Sequence, residues 1–278
     1  MTGIGRSHGA ITVVNAMPLG IGATIGIDLE TKARFSTGGE CRKVNIINDP
    51  GENTEMAEIC VREAYREIAE MEPKGWNLDI CSQIPVSRGL KSSSSACNAI
   101  ISAVLEENGK YMEKMDVVRL GVRCAREARV TVTGSFDDAC GCHLGGFVVT
   151  DNRDDTVILH RNIEEYDVIL HVPEHKIRKA GLPLEALIGT APEMEKVLNV
   201  ARSDPLKALT MNGEIISRAS GLDNSLAKRA MEAGALGAGL SGAGPAIAIV
   251  VPGGRGRGFA ADLGIADAMI TRTRGMKL

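Results

Sequence analysis

Aromatic side chains are scarce in this chain of 278 residues: one Trp, three Tyr and four Phe make up 3% of it. Ile, Val, Leu, Ala and Met must therefore fill the core that 44% hydrophobic residues allow. The seven cysteines (Cys41, Cys60, Cys81, Cys97, Cys124, Cys140 and Cys142) are odd in number and include no C-x-x-C pair. That removes a disulfide framework and a zinc ribbon. Most sit in apolar runs, as small buried residues do, and a reducing cytoplasm is the inference. Cys140-Gly141-Cys142-His143 has no second ligand pair, and Pro173 breaks any helix between His171 and His175, so no metal site is read into either. Basic excess is also lacking. A net charge of −3 and a pI near 6.0 leave no electrostatic footprint for nucleic acid or an anionic membrane. Residues 7–27 carry no Lys, Arg, Asp or Glu, but Asn15, Pro18, Gly20, Gly22 and Gly26 interrupt them. Two strands, Ala10–Ala16 and Gly22–Leu29, are expected there rather than a membrane span. The common P-loop is missing too: the one Gly-Lys pair, Gly109-Lys110, is followed by Tyr111.

What is present centres on Pro85-Val86-Ser87-Arg88-Gly89-Leu90-Lys91-Ser92-Ser93-Ser94-Ser95. Before it, Trp76, Leu78 and Ile80 alternate with polar residues, the pattern of a half-buried strand. After it, Cys97–Leu105 is apolar at helical spacing, with Asn108-Gly109 as a left-handed stop. The order is strand, Gly/Ser loop, helix N-terminus. One serine is enough to cap a helix. Four hydroxyls, a lysine and the unpaired amides of the first turn exceed that need, and phosphate suits them.

The spacing Pro85-x-x-x-Gly89-Leu90-x-Ser92-Ser93 resembles the nucleotide loop of the GHMP kinases, and Gly-Leu-Lys-Ser-Ser-Ser is most similar to the archaeal shikimate kinases within them. Two further stretches follow in the family's order. Glu127 near a helix end, then Gly134-Ser135-Phe136-Asp137-Asp138-Ala139, resembles the family's acidic segment. On the residues alone, Glu127 could be a solvated partner of Arg123, Arg126 and Arg129, and the two aspartates a simple turn. Gly234–Pro245 resembles the third glycine-rich motif, which packs by the phosphate loop.

The resemblance implies roles residue by residue. Pro85 to Ser95 hold ATP, Asp137 is the catalytic aspartate, and Glu127 is a Mg²⁺ ligand. The Mg²⁺ serine falls on Ser93 or Ser94, with Ser93 the first choice. The lysine that some members place near the start falls on Gly9-Ala10, so no lysine there is given a catalytic role. The implied fold is α+β and two-lobed. Residues 1–160 carry a mixed sheet with a left-handed crossover, and residues 161–278 a ferredoxin-like α/β sandwich. The implied reaction is ATP-dependent phosphorylation of the 3-hydroxyl of shikimate, serving chorismate and aromatic amino-acid biosynthesis. Homoserine kinase shares most of these motifs and is the rival; a catalytically silent metabolite sensor is the rival of another class. Shikimate and ATP are the expected partners, and the sequence carries no mark of an oligomeric state.

Further elements are read from periodicity. Residues 33–47 give one or two strands around a Thr37-Gly38-Gly39 turn. A helix capped by Asn53 or Thr54 runs to about Met71, with Met56, Ile59, Cys60, Tyr65 and Ile68 as its core stripe. Another begins at Asp116. Strands are expected at Gly145–Thr150, Val157–His160, Asp167–Val172, Ala246–Val251 and Ala268–Arg274, with residues 181–233 largely helical. Arg6, His8, Asn15, Arg272 and Arg274 are the polar residues considered for the acceptor, and none is singled out for its carboxylate.

Overall fold

A computed structural model describes residues 2–131, 133–175 and 181–276. The first half runs β1 (Thr2–Val14), β2 (Ile21–Thr37), β3 (Arg42–Ile46), α1 (Glu55–Glu67), β4 (Trp76–Ser82), α2 (Ser92–Glu107), α3 (Lys114–Glu127), α4 (Phe136–Leu144), β5 (Phe147–Asp151) and β6 (Thr156–Arg161). The second runs β7 (Tyr166–His171), α5 (Leu184–Ile188), α6 (Ala191–Ala201), α7 (Pro205–Ser220), α8 (Ser225–Glu232), β8 (Gly237–Leu240), β9 (Ile247–Pro252), α9 (Gly256–Asp262) and β10 (Met269–Arg272).

β1 and β2 form the hairpin expected from the charge-free start, extended beyond the expected Ala10–Ala16 and Gly22–Leu29 at its open end. One edge of β2 carries β1. The other carries β4 at Thr31–Thr37 and β5 at Ile21–Ile25. β3 joins β4 in parallel, the two linked through α1, and β6 closes the far edge. This six-stranded mixed sheet is faced by α2, which lies across β1 and β2. Three of the eight aromatics meet here: the Phe35 ring lies 5.7 Å from that of Trp76 and 6.1 Å from that of Tyr65 on α1, in tilted pairs, and all three are buried.

The second sheet has order β10-β7-β9-β8, all antiparallel, with helices between β7 and β8 and between β9 and β10. That is the β-α-β-β-α-β arrangement of a ferredoxin-like sandwich. The lobes share packing: Ile11, Val13 and Ile25 of the hairpin belong to the same apolar cluster as Leu209 of α7 and Ile249 of β9. The hairpin therefore reaches into both halves, and its turn lies where they meet.

Two elements were not read from the sequence. The acidic segment starts a helix, α4, where only a turn was expected. β8 lies inside the third glycine-rich stretch; its Gly-Ala-Gly-Leu has little strand preference. The absence of side chains is what seats it, since a Cβ on Gly239 would stand 2.7 Å from the Leu209 carbonyl of α7.

Candidate active site

Two helix N-termini meet at one cavity of about 540 Å³. The first belongs to α2. Its approach loop places Ser87, Gly89 and Lys91 at positive φ (58°, 85° and 69°), the kind of backbone that gathers N–H groups into an anion-binding concavity. Val86, Ser87, Gly89, Lys91, Ser92, Ser93 and Ser94 line the cavity. Pro85 and Arg88 do not, and Leu90 and Ser95 turn into the interior, both fully buried. Leu90 joins the shared core and Ser95 donates its N–H to the Lys91 carbonyl, so these two serve the loop's shape.

The loop is backed by the third glycine-rich stretch. Ala246 N donates to the Arg88 carbonyl at 3.1 Å and Ser241 Oγ to the Gly89 carbonyl at 2.8 Å. Thr12 and Asn15 of the hairpin secure that stretch in turn: Gly242 N donates to Thr12 Oγ1 at 2.8 Å, and Asn15 Nδ2 to the Gly242 carbonyl at 3.0 Å. A Cβ on Gly89 would lie 2.1 Å from the Ser241 carbonyl oxygen. Gly89→Val is therefore expected to push the two loops apart and abolish ATP binding by calorimetry, with far-ultraviolet dichroism retained. An unchanged ATP affinity would remove this loop from the nucleotide site.

The second N-terminus is that of α4, entered through Ser135 at φ 53°. It places Asp137 and Asp138 in the first helical turn, where the helix dipole favours anions. Asp137 is 3% exposed. Asn152 grips it at both ends: Asn152 Nδ2 donates to Asp137 Oδ1 at 2.7 Å, and Asp137 N donates to Asn152 Oδ1 at 3.1 Å. Burial and the adjacent Asp138 carboxylate push the Asp137 carboxyl up to about 7, with Lys91 and Asn152 pulling the other way. Lys91 Nζ lies 2.9 Å from Asp138 Oδ1, with the lysine side chain 8% exposed. Its ammonium is thus held by the acidic helix; the sequence reading had assigned it to phosphate. Burial lowers the Lys91 affinity for its proton, but the carboxylates of Asp138 and Asp137 outweigh that and raise it.

Glu127 is not brought to this cluster. It ends α3 as an exposed side chain, and Arg62 Nη2 lies 2.5 Å from its Oε1. It does immediately precede Ala128 and Arg129, which line the cavity. Among the described residues, no three His, Cys, Asp or Glu side chains gather to hold a metal ion.

The sequence missed several participants. Met56, expected as core, lines the cavity beside Ile46 and Ile80 and gives it an apolar end. Asn152 carried no signal beyond a polar turn, because only the fold brings it over Asp137. Beside Asp137 a second hollow shares Met17, Thr131 and Thr133 with the first and adds Arg126, Asn152 and Arg153. Of the residues considered for the acceptor, only Asn15 reaches the cavity. Arg6 pairs with Glu30, His8 faces Asp28, Arg272 pairs with Glu165, and Arg274 is buried, donating to the His143 carbonyl.

Residues 56–146 match the GHMP kinases N terminal domain, a stretch that spans both helix N-termini of the site. The chain is 35% identical over 246 residues to a shikimate kinase of Methanobrevibacter smithii, covering 86% of this chain and 84% of that one. The chain belongs to the shikimate kinases of the GHMP kinase family. A shikimate kinase of Pyrococcus abyssi is 37% identical over 249 residues, covering 88% and 90%. The mevalonate kinase of Methanococcus jannaschii has the same fold, with a TM-score of 0.80 at 19% identity over 99% of this chain and 98% of that one. The GHMP kinase fold accounts for the two sheets, and membership of a kinase family implies ATP as the phosphoryl donor.

Proposed function

We propose that this protein transfers the γ-phosphoryl group of ATP to the 3-hydroxyl of shikimate, in chorismate and aromatic amino-acid biosynthesis. The observation that carries the reading is the convergence of a phosphate-type helix N-terminus and a buried, Asn152-gripped Asp137 on one cavity. The adenine fits the apolar end formed by Ile46, Met56 and Ile80, and the phosphates fit the amides and hydroxyls of Ser92 to Ser94. The acceptor hydroxyl then meets Asp137, which takes its proton as the phosphoryl group moves. Transfer of this kind depends on positioning and charge neutralisation more than on covalent chemistry, and the two rigid N-termini supply both.

The acceptor's carboxylate calls for an arginine fork. Arg129 on the cavity wall, and Arg153 in the adjoining hollow once released from Asp151, are the cations that fit, and Asn15, Thr131 and Thr133 suit the ring hydroxyls. The free state of all seven cysteines agrees with a cytoplasmic setting. The test is ADP release with shikimate, homoserine and mevalonate offered separately. Shikimate should be turned over well ahead of the others. Turnover of homoserine with none of shikimate would overturn the substrate and leave the kinase family standing.

Mg²⁺ would be held mainly by nucleotide phosphates and water, as its preference for hard oxygens and retained waters requires. Ser93 or Ser94 offers a hydroxyl on the cavity wall. Glu127 would join only by releasing Arg62. On that proposal Glu127→Gln raises the Mg²⁺ concentration needed for half-maximal rate about 10- to 100-fold, the scale of losing a ligand or its support. An unchanged Mg²⁺ titration would leave Glu127 as Arg62's surface partner.

A further inference from the structure

Lys91 is an anomaly on two counts. It stands at φ 69°, ψ 30°, a left-handed backbone conformation that a residue with a Cβ adopts at a cost and glycine does not. It is also a lysine whose side chain is almost wholly removed from water, where an ammonium persists only if paired. The side chain does not help α2 begin, since Lys91 makes no side-chain capping bond there. A glycine would make the same turn without strain. The side chain must therefore be what the position is for.

Its direction shows the use. From the phosphate loop it crosses to the acidic helix and ends on Asp138, the residue next to Asp137. The third glycine-rich stretch makes room: a Cβ on Gly242 would come within 3.2 Å of Lys91 Nζ. The other charged side chains lining the cavity are Glu52, Glu55, Arg129, Asp137 and Asp138, and Arg129 is exposed. Cys142 of α4 packs beneath, its Sγ 3.8 Å from the Lys91 carbonyl; burial pushes its thiol well up, so it brings no charge.

We propose that Lys91 is a positioning residue for Asp137: by pairing with Asp138 it ties the phosphate loop to α4 and leaves Asp137 as the one carboxylate turned to the acceptor. Phosphate oxygens are met by the backbone amides and serines of the loop, and the lysine stays on the acidic helix with nucleotide bound. The loop and the helix that carries the proton acceptor are then joined by one largely buried ion pair, which fixes where the base sits relative to the γ-phosphate. This inference rests on the phosphoryl-transfer reading above.

The test uses Lys91→Gly, which removes the ammonium and relieves the backbone together. We expect the fold to be retained by far-ultraviolet dichroism and a cooperative thermal transition, and ATP affinity by calorimetry to stay within about threefold. With the acceptor that the wild type turns over, kcat should fall about 100-fold, the scale of a misplaced catalytic group. Added n-butylammonium, which can enter through the cavity, should restore part of that rate, while n-butanol should not. A kcat at saturating ATP that stays unchanged while ATP affinity falls would overturn the proposal and make Lys91 a phosphate ligand. A second measurement needs no acceptor. In the ¹⁵N spectrum of lysine side chains, the Lys91 Nζ signal should show coupling to the Asp138 carboxyl carbon, and keep it when the non-hydrolysable analogue AMPPNP is added. Loss of that coupling on AMPPNP binding would overturn the proposal even if shikimate proves not to be the acceptor.

Discussion

Asp137→Asn should lower kcat by about 100- to 10,000-fold, the range that a positioned proton acceptor supplies. The substitution keeps the size of the side chain and its oxygen for Asn152 Nδ2, so substrate affinities should change far less. The pH dependence adds a second readout. Only the ionised carboxylate can take the acceptor's proton, and the Asp137 carboxyl sits at about 7 against an ordinary 3.8. The wild-type kcat/KM should therefore climb as pH rises through about 7 and then level, since that ratio reports the free enzyme. Asp137→Asn should abolish the climb. The register is checked by the neighbour. Asp138→Asn removes the carboxylate that raises Asp137, so the limb should remain but move to lower pH. If Asp138→Asn erases the limb and Asp137→Asn keeps it, the roles of the two are exchanged.

Stability gives an independent sign. Between pH 3.8 and about 7 the folded protein holds a proton on Asp137 that the unfolded chain has released. Stability from this group is thus complete below the lower value and lost as pH rises to the upper one. Asp137→Asn, which has no charge to bury, should be more stable than the wild type at pH 8, as read by its melting temperature. A variant that is inactive and yet more stable is the mark of a group retained for chemistry.

The second large effect concerns the acceptor. Shikimate is a ring triol with one carboxylate and no amine. Its methyl ester keeps the ring and the reacting hydroxyl but loses the charge. If Arg129 or Arg153 closes on that carboxylate, the ester removes one partner of a charge-assisted pair, and Arg153 would first have to leave Asp151. Both guanidiniums are exposed before the acceptor binds, so kcat/KM for the ester should fall by at least about tenfold, the scale of one lost hydrogen bond to a charged group. Equal turnover of acid and ester would remove both arginines from the acceptor site. Homoserine separates the cases further, because its ammonium group needs an acceptor that an arginine-lined hollow does not offer.

How much of this was legible in the sequence varies by element. The strand, Gly/Ser turn and helix around Gly89 were, because strand alternation, a glycine at a turn and a run of hydroxyls before an apolar helix are local signals. The sequence also pointed to Asp137, through its resemblance to a family, though not to the helix that carries it. Ser135 enters α4 in a left-handed conformation, and no propensity scale marks a serine for that. Met56 read as core because its helix is amphipathic; the periodicity could not show that the stripe's first residue overhangs a cavity. Glu127 was picked by motif order alone, and its present partner, Arg62, lies 65 residues away.

By itself the sequence determined the kind of chain and the kind of chemistry. Few aromatics, a mild acidic balance, interrupted apolar runs and a Gly/Ser loop before an apolar helix are properties of composition and short spacing, which act within a few residues. Tertiary structure decided what each charge is paired with. Lys91 and Asp138 are 47 residues apart in the chain and 2.9 Å apart in space. Asn152 holds Asp137 from the end of β5, and Thr12 and Asn15 secure a loop more than 200 residues downstream. Such pairings depend on where the two lobes bring their chain segments together. Coulomb and hydrogen-bond energies fall off over a few ångströms, so they are fixed only once the fold has set those distances.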